Sequence, residues 1–113
     1  MGMAIRSWSE PVVALVTSRL TLLADPTRIH LLTLLERGEA NVQELSDTVS
    51  STPQNISRHL AILHRAGIVA RRREGTSVYY SLVDYSACRL LEQTLSSVSG
   101  QIEELADAVK LAA

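Results

Sequence analysis

Apolar positions recur at helical spacing four times along this chain, then alternate, then recur again. Val12, Leu15, Val16, Leu20 and Leu23 form the first such stripe, behind Ser9 as an N-cap and Pro11 in the first turn. Asp25-Pro26 restarts the chain, because aspartate caps and proline lacks only an N–H that the first helical turn leaves unpaired. The helix that follows carries Ile29, Leu31, Leu32, Leu34 and Leu35 and stops at Gly38. It is apolar over more than half its circumference, which makes it the expected central core helix. Asn41-Val-Gln-Glu44 is a capping-box sequence opening a short third helix with Val42, Leu45 and Val49 inward. Thr52-Pro53 repeats the start signal for a fourth helix that runs to Gly67, with Ile56, Leu60 and Leu63 inward. At about 100° per residue, Gln54, Arg58, Ala61 and Arg65 fall on its opposite face, flanked by Asn55 and Ser57.

From Ile68 the period changes to two. Ile68–Arg73 and Thr76–Leu82 are expected as strands about a Glu74-Gly75 turn, with Val78, Tyr80 and Leu82 inward and Ser77, Tyr79 and Ser81 outward. After Asp84 the apolar positions Cys88, Leu91, Leu95, Val98, Ile102, Leu105 and Val109 follow at alternating steps of three and four. That pattern predicts one long helix over 84–112 with a coiled-coil seam, Gly100 lying off it. Such a stripe exceeds what one small domain can cover, so a second copy of the chain is the expected partner. The element order is mainly α with a small β-hairpin: five helices plus a wing, a winged helix-turn-helix.

Composition and charge sharpen this picture. The chain has 113 residues, a size for one domain spanning 1–113, with 1–8 expected to be loosely ordered. Apolar residues are 46% and aromatics 4% with no Phe, so the core is aliphatic and suits helix packing. No run is long enough to span a membrane and no signal-peptide pattern opens the chain, so it is expected in the cytoplasm. The single cysteine, Cys88, excludes an internal disulfide framework. Net charge is −1, but residues 48–73 carry Arg58, Arg65, Arg71, Arg72 and Arg73 and no acid. This +5 block lies between segments of −2 and −4, the distribution expected of a phosphate-binding surface. On charge alone, an ordinary solvated face accounts for it equally well. No nucleophile–base pair or phosphate loop is visible, so an enzyme has no support.

Two stretches, LLADPTRIHLLTLLERGEANVQEL and TPQNISRHLAILHRAGIVARRREGTSVYYSL, closely resemble the ArsR/SmtB family of bacterial transcription regulators, over about residues 20–85. The resemblance implies that the fourth helix enters the major groove, that the wing touches backbone or minor groove, and that the first and last helices form a homodimer. The expected contacts to a double-stranded DNA operator are Thr52, Gln54, Asn55, Ser57, Arg58, His59, Arg65, Arg71, Arg73, Thr76 and Tyr79. The expected dimer interface is Leu15, Leu91, Leu95, Val98, Ile102 and Leu105. For His59, a packing hydrogen bond stays open beside a phosphate contact. Arg72 is expected to pair with a neighbouring acid, and Arg28 to bridge helices.

The family's metal positions are altered. Where one family site has a Cys-x-Cys-Asp motif, this chain has Asn41, Gln43 and Glu44. Where another has Asp-x-His and a later His-x-x-His/Glu, it has Asp84-x-Ser86 and Ser97-x-x-Gly100. No metal and no cofactor is therefore expected, Cys88 is read as core packing, and the effector stays unassigned. The function expected is a repressor released from its operator by that effector. Two alternatives stay open: a metal or thiol sensor built around Cys88 at the dimer interface, and a winged-helix interaction module that does not bind DNA.

Overall fold

The computed structural model describes residues 7–112, so most of the expected loose segment 1–8 lies outside the described residues. Six helices and three strands follow in the order α1 (Glu10–Leu23), α2 (Pro26–Leu35), β1 (Ala40–Asn41), α3 (Val42–Val49), α4 (Pro53–Arg65), β2 (Val69–Glu74), β3 (Ser77–Leu82), α5 (Ser86–Ser97) and α6 (Ser99–Ala112). This is a winged helix-turn-helix fold: helices around one core, with an antiparallel sheet on one side.

The helix starts follow their caps. Asp25 accepts from the Arg28 N–H at 3.0 Å, and Thr52 accepts from the Asn55 N–H at 3.1 Å. Asn41 and Glu44 make a reciprocal capping box, at 2.8 and 3.0 Å. These bonds satisfy N–H groups that the first helical turn leaves without partners. Ser9 sits at the N-cap position of α1, but its side chain makes no capping bond.

Leu31, Leu32 and Leu35 of α2 are buried, with Leu45 of α3 and Ile56, Leu60 and Leu63 of α4 packed against them. Tyr80 and Leu82 cover this core from the sheet, and Ala87 and Cys88 from α5. Gly67 takes a φ of +76°, which lets the chain leave α4 and turn into the wing without steric strain.

Two expectations are corrected. The sheet has a third strand: β1 pairs antiparallel with β3, giving the order β1-β3-β2, because the capping residue of α3 is also extended enough to pair. The long last helix is two helices, broken at Val98, whose φ of −108° and ψ of 10° are not helical. Ser96, Ser97, Val98, Ser99 and Gly100 explain the break, since each is a weaker helix former than the leucines and glutamates on either side. The seam therefore bends at Val98 instead of running straight from Cys88 to Val109.

Candidate nucleic-acid interface

The fourth helix divides as its sequence divides. Ile56, Leu60 and Leu63 are fully buried, while Gln54, Ser57, Arg58 and Arg65 are exposed. Helix α4 begins beside the wing: Pro53 and Ser57 share a groove of about 280 Å³ with Thr76 and Ser77 of the hairpin, Asn41 of β1 and Gln43 of α3. Helix α4 and the wing tip thus open onto one surface.

Side-chain partners separate the arginines of the basic block. Arg58 donates to Asn55 Oδ1 at 2.8 Å, and Asn55 donates to Ser51 Oγ at 2.9 Å. Arg58 is held along the helix by an amide, with no carboxylate to neutralise it. Arg65, Arg71 and Arg73 are exposed and make no ion pair among the described residues. Arg71 and Arg73 stand opposite Tyr80 and Val78 in the ladder, so they rise from the same face of the hairpin. The turn between the strands is Gly75-Thr76, one residue later than expected; Gly75 has a φ of +63°, which a two-residue hairpin turn requires.

Arg72 differs from its neighbours. It makes a two-pronged pair with Glu39, at 2.6 and 3.2 Å, and also pairs with Glu74. Its guanidinium carbon lies 4.8 Å from the centroid of the Tyr79 ring. These acids hold the guanidinium charged well beyond the ordinary arginine range, and Arg72 in turn lowers the Glu39 carboxyl. Tyr79 is half-buried with the cation over its ring, and so is less free to meet a ligand than its outward position implied.

His59 is the clearest correction among the expected contacts. It is 5% exposed and turned into the protein, where its Nδ1 lies 3.0 Å from Arg28 Nη1 and 3.7 Å from Asp25 Oδ2. Arg28 donates through Nε to the Leu22 carbonyl at 2.6 Å. The imidazole is core packing between α1, α2 and α4, not a surface for phosphate. Position 59 precedes the inward Leu60 and follows Arg58, so helical spacing left its direction ambiguous.

The family's metal positions do not offer a site. Asn41 and Gln43 present amides, the first in the capping box and the second donating to Asp47 at 2.8 Å. Asp84 accepts from the N–H and hydroxyl of Ser86. Among the described residues no three His, Cys, Asp or Glu side chains gather closely enough to hold an ion. Cys88 is 3% exposed, and burial, then the charges of Glu36, Glu92 and Asp84, push its thiol pKa up. These donors do not fit a soft or borderline metal, which needs thiolate or imidazole.

A second surface is apolar. Leu15 is 74% exposed, Leu95 57% and Leu105 66%, and no residue of α6 is buried. The radius of gyration is 17.1 Å, against roughly 13 Å for a compact chain of this length. Val98 and Leu91 are only half-buried. Helices α1 and α6 therefore present apolar faces that the subunit does not cover.

The comparisons with known proteins agree with this geometry. Residues 25–71 match the model of the arsR family of bacterial regulatory proteins. The uncharacterized HTH-type transcriptional regulator Rv0081 of Mycobacterium tuberculosis is 39% identical over 84 residues, 74% of each chain. The crystal structure of the AntR antimony-specific transcriptional repressor superposes with a TM-score of 0.77 at 28% identity, over 89% of this chain and 93% of that one. The homodimeric winged helix-turn-helix DNA-binding domain of Mb0332 from Mycobacterium bovis gives 0.68 at 26% identity, over 88% of this chain and 95% of that one.

Proposed function

The chain belongs to the arsR family of bacterial regulatory proteins, and from that premise we propose that it is a sequence-specific, DNA-binding transcriptional repressor that acts as a homodimer. The observation that carries this reading is the single surface made by α4 and the wing. Arg58, Arg65, Arg71 and Arg73 are free of carboxylates among the described residues, and Gln54, Ser57 and Thr76 supply neutral donors and acceptors beside them.

Each part has its own task. Gln54, Asn55, Ser57 and Arg58 reach base edges from the start of α4, because a recognition helix reads the groove with its N-terminal residues. Thr52 and Arg65 take phosphates at either end of that helix, and Arg71, Arg73 and Thr76 take them from the wing. Tyr79 supports the wing from below. Leu15, Leu91, Leu95, Val98, Ile102 and Leu105 hold two subunits together, so that two half-sites about one helical turn apart are read at once. Residues 1–113 act as one winged unit with α5 and α6 as its dimer arm.

The proposed role is binding without catalysis, exercised in the cytoplasm, where the operator DNA lies. Among the described residues no helix is long and apolar enough to cross a membrane. An effector releases the repressor from its operator, and it is not a thiolate- or imidazole-bound metal at the family's positions.

The test is retardation of duplex DNA selected from a random library, repeated across salt concentrations. The cations among these contacts, Arg65, Arg71 and Arg73 with Arg58 beside them in the groove, give about three or four neutralised phosphates per subunit and a log–log slope of roughly −5 to −7, through counterion release. An affinity flat in salt would sink the proposal. It would favour the interaction-module reading instead.

A further inference from the structure

The three strands bring Asn41, Tyr79 and Arg72 into one row, since Asn41 pairs with Tyr79 and Tyr79 with Arg72. Directly opposed residues of antiparallel strands share a face. The Arg72 side chain crosses this row above the Tyr79 ring and ends on Glu39, two positions before Asn41. Glu39 thus lies on the segment that enters the helix-turn-helix, and Asn41 caps α3. Strand β1 is only two residues long, so its ladder alone is a weak tie between the wing and that segment.

We propose that Arg72 is a positioning residue: by bridging the sheet from the wing to Glu39 across Tyr79, it fixes the pitch of the hairpin against the helix-turn-helix and makes no phosphate contact itself. The inference rests on the reading of the wing as a DNA-binding element. Arg71 and Arg73 point from the opposite face and are the groups whose placement Arg72 controls. A two-pronged carboxylate pair with stacking on an aromatic ring is geometry that only a guanidinium supplies, because lysine is a point charge on a flexible stem.

That difference sets the experiment, which uses the full chain and a duplex selected by the wild-type protein. All the positions are exposed, so the variants fold, which matching thermal melts verify. If Arg72 positions the wing, Arg72→Lys keeps the charge yet weakens binding about 3- to 10-fold, with the salt slope unchanged. Glu39→Gln also weakens binding, although removing an acid beside DNA favours association on charge alone. The double variant is no weaker than the worse single one, because both changes break one contact. A phosphate-contacting Arg72 gives the reverse: Arg72→Lys binds like wild type, Glu39→Gln binds more tightly, and Arg72→Gln flattens the salt slope. Any of these three results overturns the proposal. Arg71→Gln and Arg73→Gln serve as the control, each flattening the slope by about 1 per lost phosphate contact. Unchanged slopes in both would overturn the DNA-contact reading of the wing itself, and the positioning role with it.

Discussion

His59 Nδ1 lies 3.0 Å from Arg28 Nη1, so a buried imidazole of the recognition helix accepts from an arginine whose Nε is bound to the last turn of α1. The other ring nitrogen, Nε2, lies 3.4 Å from Arg58 Nη2, so the imidazole stands between two guanidinium groups that disfavour its charged form. The contact with Arg28 joins α4, the proposed recognition helix, to a helix of the proposed dimer surface, through the cap of α2.

Burial lowers the His59 pKa below its ordinary 6.5, with Arg58 and Arg28 acting in the same direction and Asp25 opposing them. The unfolded chain therefore binds more protons than the folded one in the range below 6.5. Stability is full above that pH and falls as the pH drops through the window toward the depressed value. Denaturant melts from pH 7.5 to 5 are expected to show this decline, and His59→Gln is expected to lose most of it. His59→Ala should cost about 1–3 kcal/mol at pH 7.5, for it leaves Arg28 short of an acceptor. A variant with wild-type stability and an unchanged pH profile would remove His59 from this role.

Cys88 is expected to resist alkylation in the folded protein, since its thiol is buried and its pKa raised. Iodoacetamide at pH 8 should modify it at a rate set by unfolding. Zinc, cobalt, nickel and copper(I) should leave DNA retardation unchanged. Submicromolar metal binding that releases DNA and disappears in Cys88→Ser would restore the alternative of a sensor at this position.

Gly100 sits in the first turn of α6, and a Cβ built on it meets nothing within 4 Å. Gly100→Ala is therefore expected to stabilise the protein by about 0.4–1 kcal/mol and to raise its helical circular dichroism. A loss of stability would mean that the bend at Val98 is required for packing between subunits.

The parts legible in sequence were those set by short-range rules. Asp25, Asn41 and Thr52 announced three helix starts through capping chemistry, and each cap bond is present. Core faces followed from period alone, as with Ile56, Leu60 and Leu63. The misses needed information that spacing does not hold. Heptad positions persisted through Val98, but five weak helix formers in a row broke the backbone beneath them. The pairing of Glu39 with Arg72 joins residues 33 apart, and a two-residue strand leaves no alternation to detect. The +5 block was legible as a block, and the alternation of the strand already set Arg72 apart as the arginine to pair with an acid; what spacing did not hold was that the acid is Glu39, far along the chain.

Leu105→Glu should separate the subunits and leave each one folded. No residue of α6 is buried within its own subunit, and Leu105 is 66% exposed, so a charge there disturbs no intramolecular packing. The same residue carries apolar area that α6 can cover only against another chain, and two like charges meeting across a two-fold axis oppose association. Sedimentation is expected to show a monomer whose circular dichroism and melting remain cooperative. DNA affinity should fall by several orders of magnitude, because one subunit reads one half-site. A control separates this from local damage to α6: Leu60→Glu places a charge in the core and should unfold the chain altogether. If Leu105→Glu sediments as a folded dimer, the interface lies on α1 and α5 without α6.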